Sequence, residues 1–167
     1  MGSRNRLWLI VGGLLILSSC ASQPRGGQDP TVLRQTGERW SQHYRDRDLD
    51  ALMRLYVDDA MVALHNQPAL YGKAQIRAYF AERFAQGESQ STFELAYEQI
   101  EFHGQVAHIV SKYWLRAQDP SSGAIVSDAG RSLLIYRFEQ GQWKIAVDID
   151  QATPDVGWPS PGGLLDR

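Results

Sequence analysis

The spacing of the large apolar residues changes period once, near residue 90, and that change fixes the fold class. Before it, residues recur about every four positions: Val32, Thr36, Trp40 and Tyr44, then Leu49, Leu52, Met53 and Tyr56, then Ile76, Phe80 and Phe84. Each set lines one side of a helix. After it the repeat is two, as in Phe93, Leu95 and Tyr97 and again in Trp143, Ile145, Val147 and Ile149, the alternation of strands. Helices grouped ahead of strands predict an α+β domain, with the helices packed on one face of an antiparallel sheet.

Local signals set the boundaries. Asp29-Pro30 supplies a capping carboxylate and a proline where no amide hydrogen is needed, so a helix runs over about 30–46. Asp48 caps a second, short helix, Met61 to His65 is a short strand, Asn66-Gln67-Pro68 a turn, and Gly72 precedes the third helix. Ile100 and Phe102 follow Tyr97 on the opposite parity, which predicts a bulge near Glu98-Gln99. Strands then cover about 105–117 and 125–138, with turns at His103-Gly104, Asp119–Gly123 and Gln140-Gly141. The strand over 105–117 is apolar on both parities: Val106, Val110 and Trp114 on one, Ala107, Ile109, Tyr113 and Leu115 on the other. Helices covering one face and a second subunit covering part of the other would account for this, so a homodimer through the sheet is expected.

The 167 residues carry 17 basic and 19 acidic side chains, with no basic stripe. That balance argues against nucleic acid as a partner. One cysteine excludes an intrachain disulfide, and the spacing of the four histidines fits no zinc motif. No metal or cofactor is expected. Neither a Gly-x-Ser-x-Gly elbow nor a glycine-rich phosphate loop following a strand is present.

The first twenty residues have a different character. Arg4 and Arg6 precede Leu7–Leu17, an apolar run of eleven residues, too short for the roughly twenty that span a bilayer as a helix. The run ends in Leu17-Ser18-Ser19-Cys20, which resembles the lipobox of bacterial lipoproteins. The expected division is a signal peptide over 1–19, lipidated Cys20 with a flexible linker over 20–29, a domain over 30–152, and a Pro/Gly-rich tail over 153–167. Acyl chains on Cys20 would anchor the protein in a membrane. Ala21 in place of an aspartate retention signal implies, by the same resemblance, the outer membrane of a bacterial envelope, facing the periplasm.

Three stretches carry a further likeness: Arg47-Asp48-Leu49-Asp50 with Leu55-Tyr56-Val57-Asp58-Asp59-Ala60-Met61-Val62; Gly72-Lys73-x-x-Ile76-x-x-Tyr79-Phe80; and Gly130-Arg131, Phe138, Gly141-Gln142-Trp143-Lys144-Ile145 with Asp148. In order and spacing they resemble the SnoaL-like branch of the nuclear-transport-factor-2-like superfamily, over about residues 31–153. The resemblance implies a cone-shaped curved sheet wrapped around three helices, with a pocket at its open end and frequent dimerisation through the sheet. It places Trp40 where ketosteroid isomerases have an oxyanion-donating tyrosine, Leu64 at their aspartate base, and Leu134 at their protonated aspartic acid. Leucine moves no proton, so that constellation is absent. With Tyr79 and Tyr136, these positions would instead line a cavity for a small apolar or amphipathic molecule.

Two acid–base candidates remain. Asp148 matches an acidic position of the family and, desolvated, could serve as a general base. Its parity opposes that role, because Trp143, Ile145, Val147 and Ile149 define the apolar face of the strand and send Asp148 to the other. Arg131 is its expected structural partner across the strands. His65, beside Leu64, could move protons near neutral pH. His108, Lys112 and Arg116 share one parity and would bind an anion only if that face met the cavity. The sequence thus favours a membrane-anchored envelope domain that binds a small molecule or an envelope partner. The alternative is a lyase or isomerase with Asp148 as base and Trp40 or Tyr79 as donor to the oxyanion.

Overall fold

A computed structural model describes residues 28–86, 92–119 and 122–157. Three helices come first: α1 (Pro30–Arg45), α2 (Leu49–Arg54) and α3 (Lys73–Ala85). Asp29 caps α1 through Thr31 N at 2.9 Å, and Asp48 caps α2 through Ala51 N at 2.9 Å. Both side chains satisfy amides that the first turn leaves open.

Six strands build one sheet: β1 (Tyr56–Ala63), β2 (Leu70–Tyr71), β3 (Thr92–His103), β4 (Val106–Gln118), β5 (Ile125–Glu139) and β6 (Gln142–Ala152). Their order is β2-β1-β6-β5-β4-β3. All neighbours are antiparallel except β1 and β6, which run parallel. The first strand begins at Tyr56, five residues ahead of the expected Met61. Ile145 N donates to Leu55 O at 2.7 Å, so pairing with β6 draws the end of the α2 stripe into the sheet. The two-residue β2 was not anticipated; a periodicity needs more residues than it has.

Helices and sheet enclose one core, with Leu33 of α1, Leu52 of α2, Ile76 of α3, Val62 of β1, Ile109 of β4 and Ile145 of β6 all fully buried. The concave face of β4 contributes Ala107, Ile109, Ser111 and Tyr113, all buried. On its convex face Trp114 is also buried, and its cover comes from the same chain: Trp114 Nε1 donates to Gly157 O at 3.0 Å, and Val156 is buried. The start of the Pro/Gly-rich tail therefore explains part of the apolarity that a second subunit was expected to explain.

The register breaks at three places: between Tyr56 and Met61 where β1 meets β6, and at two bulges nearer the site. Between β3 and β4 the register shifts between Tyr97 and Gln99, where the change of parity predicts it. Between β5 and β6, Tyr136 pairs with Ile145 while Ile135 pairs with Val147, so Ala146 is an extra residue. Farther along the same strand pair, where Gly130 faces Ala152, Gly130 has no room for a side chain: a Cβ there would lie 2.0 Å from Gln151 O.

Candidate functional site

The concave face of the sheet and the helices α1 and α3 leave a cavity of about 150 Å³, room for a single aromatic ring. Four-residue spacing on α1 stacks Trp40 on Tyr44, centroids 5.2 Å apart and planes 7° apart. Phe80 of α3 meets both rings edge-on at 6.1 and 6.0 Å. From the sheet side, Phe93 stacks on Tyr113 at 6.1 Å. All five residues expected to line a cavity do so: Trp40, Leu64, Tyr79, Leu134 and Tyr136.

Asp148 lines it too, against the expectation from parity. The extra residue Ala146 inverts the alternation of β6, so Trp143 and Ile145 share the inner face with Asp148 and Asp150, while Val147 and Ile149 turn outward. A bulge is a local backbone event with no side-chain signature here, and simple alternation cannot register it. The expected pair with Arg131 does not form. That guanidinium instead bridges Glu98 (2.8 Å) and Asp155 (2.7 Å) on the convex face.

The surroundings of Asp148 hold its proton. The residue is partly buried, and the surface it retains opens into the cavity. Desolvation raises its pKa to about 7, with the nearby charge of Asp150 adding to the shift. The Tyr56 hydroxyl lies 3.5 Å from Asp148 Oδ2, a long hydrogen bond that opposes the rise only weakly. Among the described residues no cation pairs with Asp148. Asp150 is also raised, chiefly by desolvation, although the His65 amide donates to its Oδ1 at 2.5 Å.

Oxyanion donors are arranged differently from the expectation. Trp40 Nε1 donates to the Tyr56 hydroxyl at 2.8 Å and so orients the group facing Asp148. The Tyr79 hydroxyl accepts from Arg83 at 2.5 Å. Tyr136 differs: it is fully buried, lines the cavity, and its hydroxyl has no hydrogen-bond partner among the described residues. Burial pushes its pKa up, with Asp148 contributing, so the hydroxyl stays protonated and can donate. In the sequence Tyr56 belongs to an apolar stripe and to a stretch carrying the family likeness, and neither assigns it a place in the site. A tyrosine where phenylalanine would pack equally well was the available signal, because a buried hydroxyl needs a partner.

The other candidates lie elsewhere. His65 is outside the cavity lining, and its Nδ1 faces the Ala152 amide at 3.5 Å. His108, Lys112 and Arg116 occupy the convex face, alternating with the inward Ile109, Ser111, Tyr113 and Leu115. They cannot serve an anion in the cavity. Cys20 and residues 1–19, the expected leader, lie outside the described residues.

This arrangement places an acid whose pKa is raised to about 7 in a mainly apolar chamber, with a tyrosine hydroxyl that has no partner among the described residues. Proton abstraction next to a carbonyl, with the hydroxyl receiving the developing negative charge, is within its chemistry.

Solved structures share the fold. A candidate aromatic ring hydroxylase from Novosphingobium aromaticivorans is 18% identical, with 76% of this chain and 90% of that one covered at a TM-score of 0.68. A candidate scytalone dehydratase from the same organism is 15% identical, covering 74% and 83% at 0.68. A ketosteroid isomerase-like protein from Erwinia carotovora is 17% identical, covering 74% and 96% at 0.62. At such identities the likeness concerns the fold, and the three names differ in chemistry. No curated protein matches the chain. The model of the SnoaL-like domain matches residues 33–147, and with helices, curved sheet and cavity arranged as described, the chain belongs to the SnoaL-like domain family.

Proposed function

We propose that this domain is a general acid–base enzyme, an isomerase or lyase, acting on a small and mainly apolar molecule that carries a carbonyl or hydroxyl group. The observation that carries the reading is Asp148, turned into the cavity by the Ala146 bulge and desolvated there with no cationic partner among the described residues. Its ionised form takes a proton from the carbon next to the substrate carbonyl. The Tyr136 hydroxyl donates to the oxygen as negative charge gathers on it. Trp40 and Tyr56 hold the carboxyl in position. Return of the proton to a different carbon completes an isomerisation; delivery to a β-hydroxyl, which leaves as water, completes a dehydration. The dehydratase and isomerase-like names among the structural neighbours support the same class.

Solvent exchange tests this without knowledge of the natural substrate. Single-ring ketones incubated with the protein in D₂O should take up deuterium at the carbon next to the carbonyl, and Asp148→Asn should abolish the uptake. Uptake that persists in Asp148→Asn would remove Asp148 as the base.

A second reading has its own support. Leu64 and Leu134 stand where the isomerase acids would be, and the lining is mainly apolar, which suits a module that binds a small apolar or amphipathic ligand or an envelope partner. Thermal stabilisation by a cavity ligand with no exchange in any compound would select it; a ligand at 100 times its dissociation constant adds about 2.7 kcal/mol. In either case we propose attachment to the cell envelope, at the outer membrane, through acylated Cys20, supported by Arg4, Arg6 and the apolar run ahead of it.

A further inference from the structure

The β3–β4 hairpin carries a second group of reactive side chains on its convex face, away from the cavity. Glu101 and His103 stand two residues apart on β3 and so project to the same side. His108 of β4 lies directly across the ladder from Glu101. The two imidazoles lie ring to ring, centroids 5.5 Å apart and planes 7° apart. His103 Nε2 is 3.4 Å from Glu101 Oε2. One ligand atom from each of the three residues lies within 4.8 Å of the other two. We propose that Glu101, His103 and His108 form a binding site for a divalent first-row transition metal ion, with zinc as the reference ion.

The donor set suits such an ion. Two imidazole nitrogens and one carboxylate oxygen bind zinc at about 2.0–2.2 Å, which sets tetrahedral donors about 3.4 Å apart. Closing from 4.8 Å to that spacing is asked of side chains that are well exposed, His103 at 60% and Glu101 at 48%; Glu101 Oε1 also accepts from Gln99 Nε2 at 2.6 Å, which leaves its other oxygen for the ion. The backbone beneath needs no movement, because a two-residue turn at Gly104-Gln105 and a continuous ladder fix the three Cα positions. Glu101 supplies the negative charge that the ion requires. On the neighbouring strand, Arg137 is already paired with Asp59 and Glu139, so its charge is compensated. Three protein ligands leave a coordination position open to solvent.

Sequence spacing hid this site. Zinc motifs are read from residues close together in one helix or loop, whereas here the carboxylate and one histidine meet only through the register of a hairpin. Nothing in the linear order of Glu101, His103 and His108 states that they converge.

Titration of the full chain with Co²⁺, followed by visible absorption and then by displacement with Zn²⁺, tests the assignment. The expected result is one saturable equivalent, with His103→Ala and His108→Ala each weakening it about ten-fold or more and Glu101→Gln also weakening it. His43→Ala should leave it unchanged. Zinc should raise the melting temperature of the wild type and of His43→Ala, and not of the double variant His103→Ala/His108→Ala. No saturable binding to the wild type, or unchanged affinity in that double variant, would overturn the proposal. Full affinity in Glu101→Gln would remove the three-ligand site.

Discussion

Asp148 lies directly across the β5–β6 ladder from Leu134, and both side chains face the cavity. Leu134 occupies the position at which the resemblance to ketosteroid isomerases places an acid. A carboxyl faces the cavity from that wall of the cone, one strand over. A single extra residue, Ala146, brings it there.

The raised pKa of Asp148 links stability to pH with a definite sign. Its folded value of about 7 lies above the ordinary 3.8, so the folded protein holds a proton that the unfolded chain releases. The stabilisation is complete below about pH 4 and is lost as pH rises through 7, amounting to about 4 kcal/mol. Asp148→Asn removes the charge but keeps the shape. Chemical denaturation should show this variant more stable than wild type at pH 8, by up to about 4 kcal/mol, with the gain nearly gone at pH 4. Equal differences at both pH values would contradict a desolvated Asp148.

Tyr136→Phe separates catalysis from packing. The hydroxyl has no partner among the described residues, and an unsatisfied buried polar group costs about 1–3 kcal/mol. Its removal should leave stability unchanged or raise it, as thermal unfolding would show. Loss of an oxyanion donor lowers kcat about 10²–10³-fold. A variant that is destabilised yet keeps full turnover would contradict the role assigned to this hydroxyl.

Helix and strand order was legible because α1, α3 and β3–β5 are long enough to express a period. Asp29 and Asp48 announce their helices by capping chemistry, and Tyr97-Glu98-Gln99 betrays its bulge because apolar residues change parity across it. The second bulge is silent for a physical reason. Trp143, Ile145, Val147 and Ile149 are apolar on both sides of Ala146, and both faces of β6 accept apolar residues: the inner one meets the cavity, while the outer one carries Val147 and Ile149 beside Leu133 and Ile135. With apolar residues suited to either face, alternation cannot report which way Asp148 points. The lining residues Trp40, Leu64, Tyr79, Leu134 and Tyr136 were accessible through family resemblance. The partnership of Tyr56 with Trp40 and Asp148 was not, because it joins a helix to two strands far apart in the chain.

Gly130 should tolerate no side chain. An alanine Cβ would meet the Gln151 carbonyl at 2.0 Å, and backbone on a paired strand cannot yield cheaply. Gly130→Ala should cost about 1–3 kcal/mol in denaturant unfolding. It should also disturb ligand binding, since Gln151 adjoins Asp150. Wild-type stability in that variant would show that β5 and β6 are further apart than described.

Two assembly predictions concern the whole chain. Mass spectrometry of membrane-extracted protein should find an acylated Cys20 at the N-terminus; an intact apolar leader ahead of an unmodified Cys20 would contradict this. On the convex face, Val110, Leu133, Ile135, Val147 and Ile149 are all only partly buried. Light scattering should detect a homodimer that Ile135→Lys converts to monomer. A monomeric wild type at high micromolar concentration would remove the dimer and leave the fold untouched.

The central claim is that Asp148 is a desolvated, cavity-facing base poised near neutrality. Carbon-13 NMR of aspartate carboxyls across a pH titration measures this directly, with the resonance identified by its loss in Asp148→Asn. The account predicts a midpoint near 7 for Asp148. A midpoint near the ordinary 3.8 would place the carboxylate in water and contradict it.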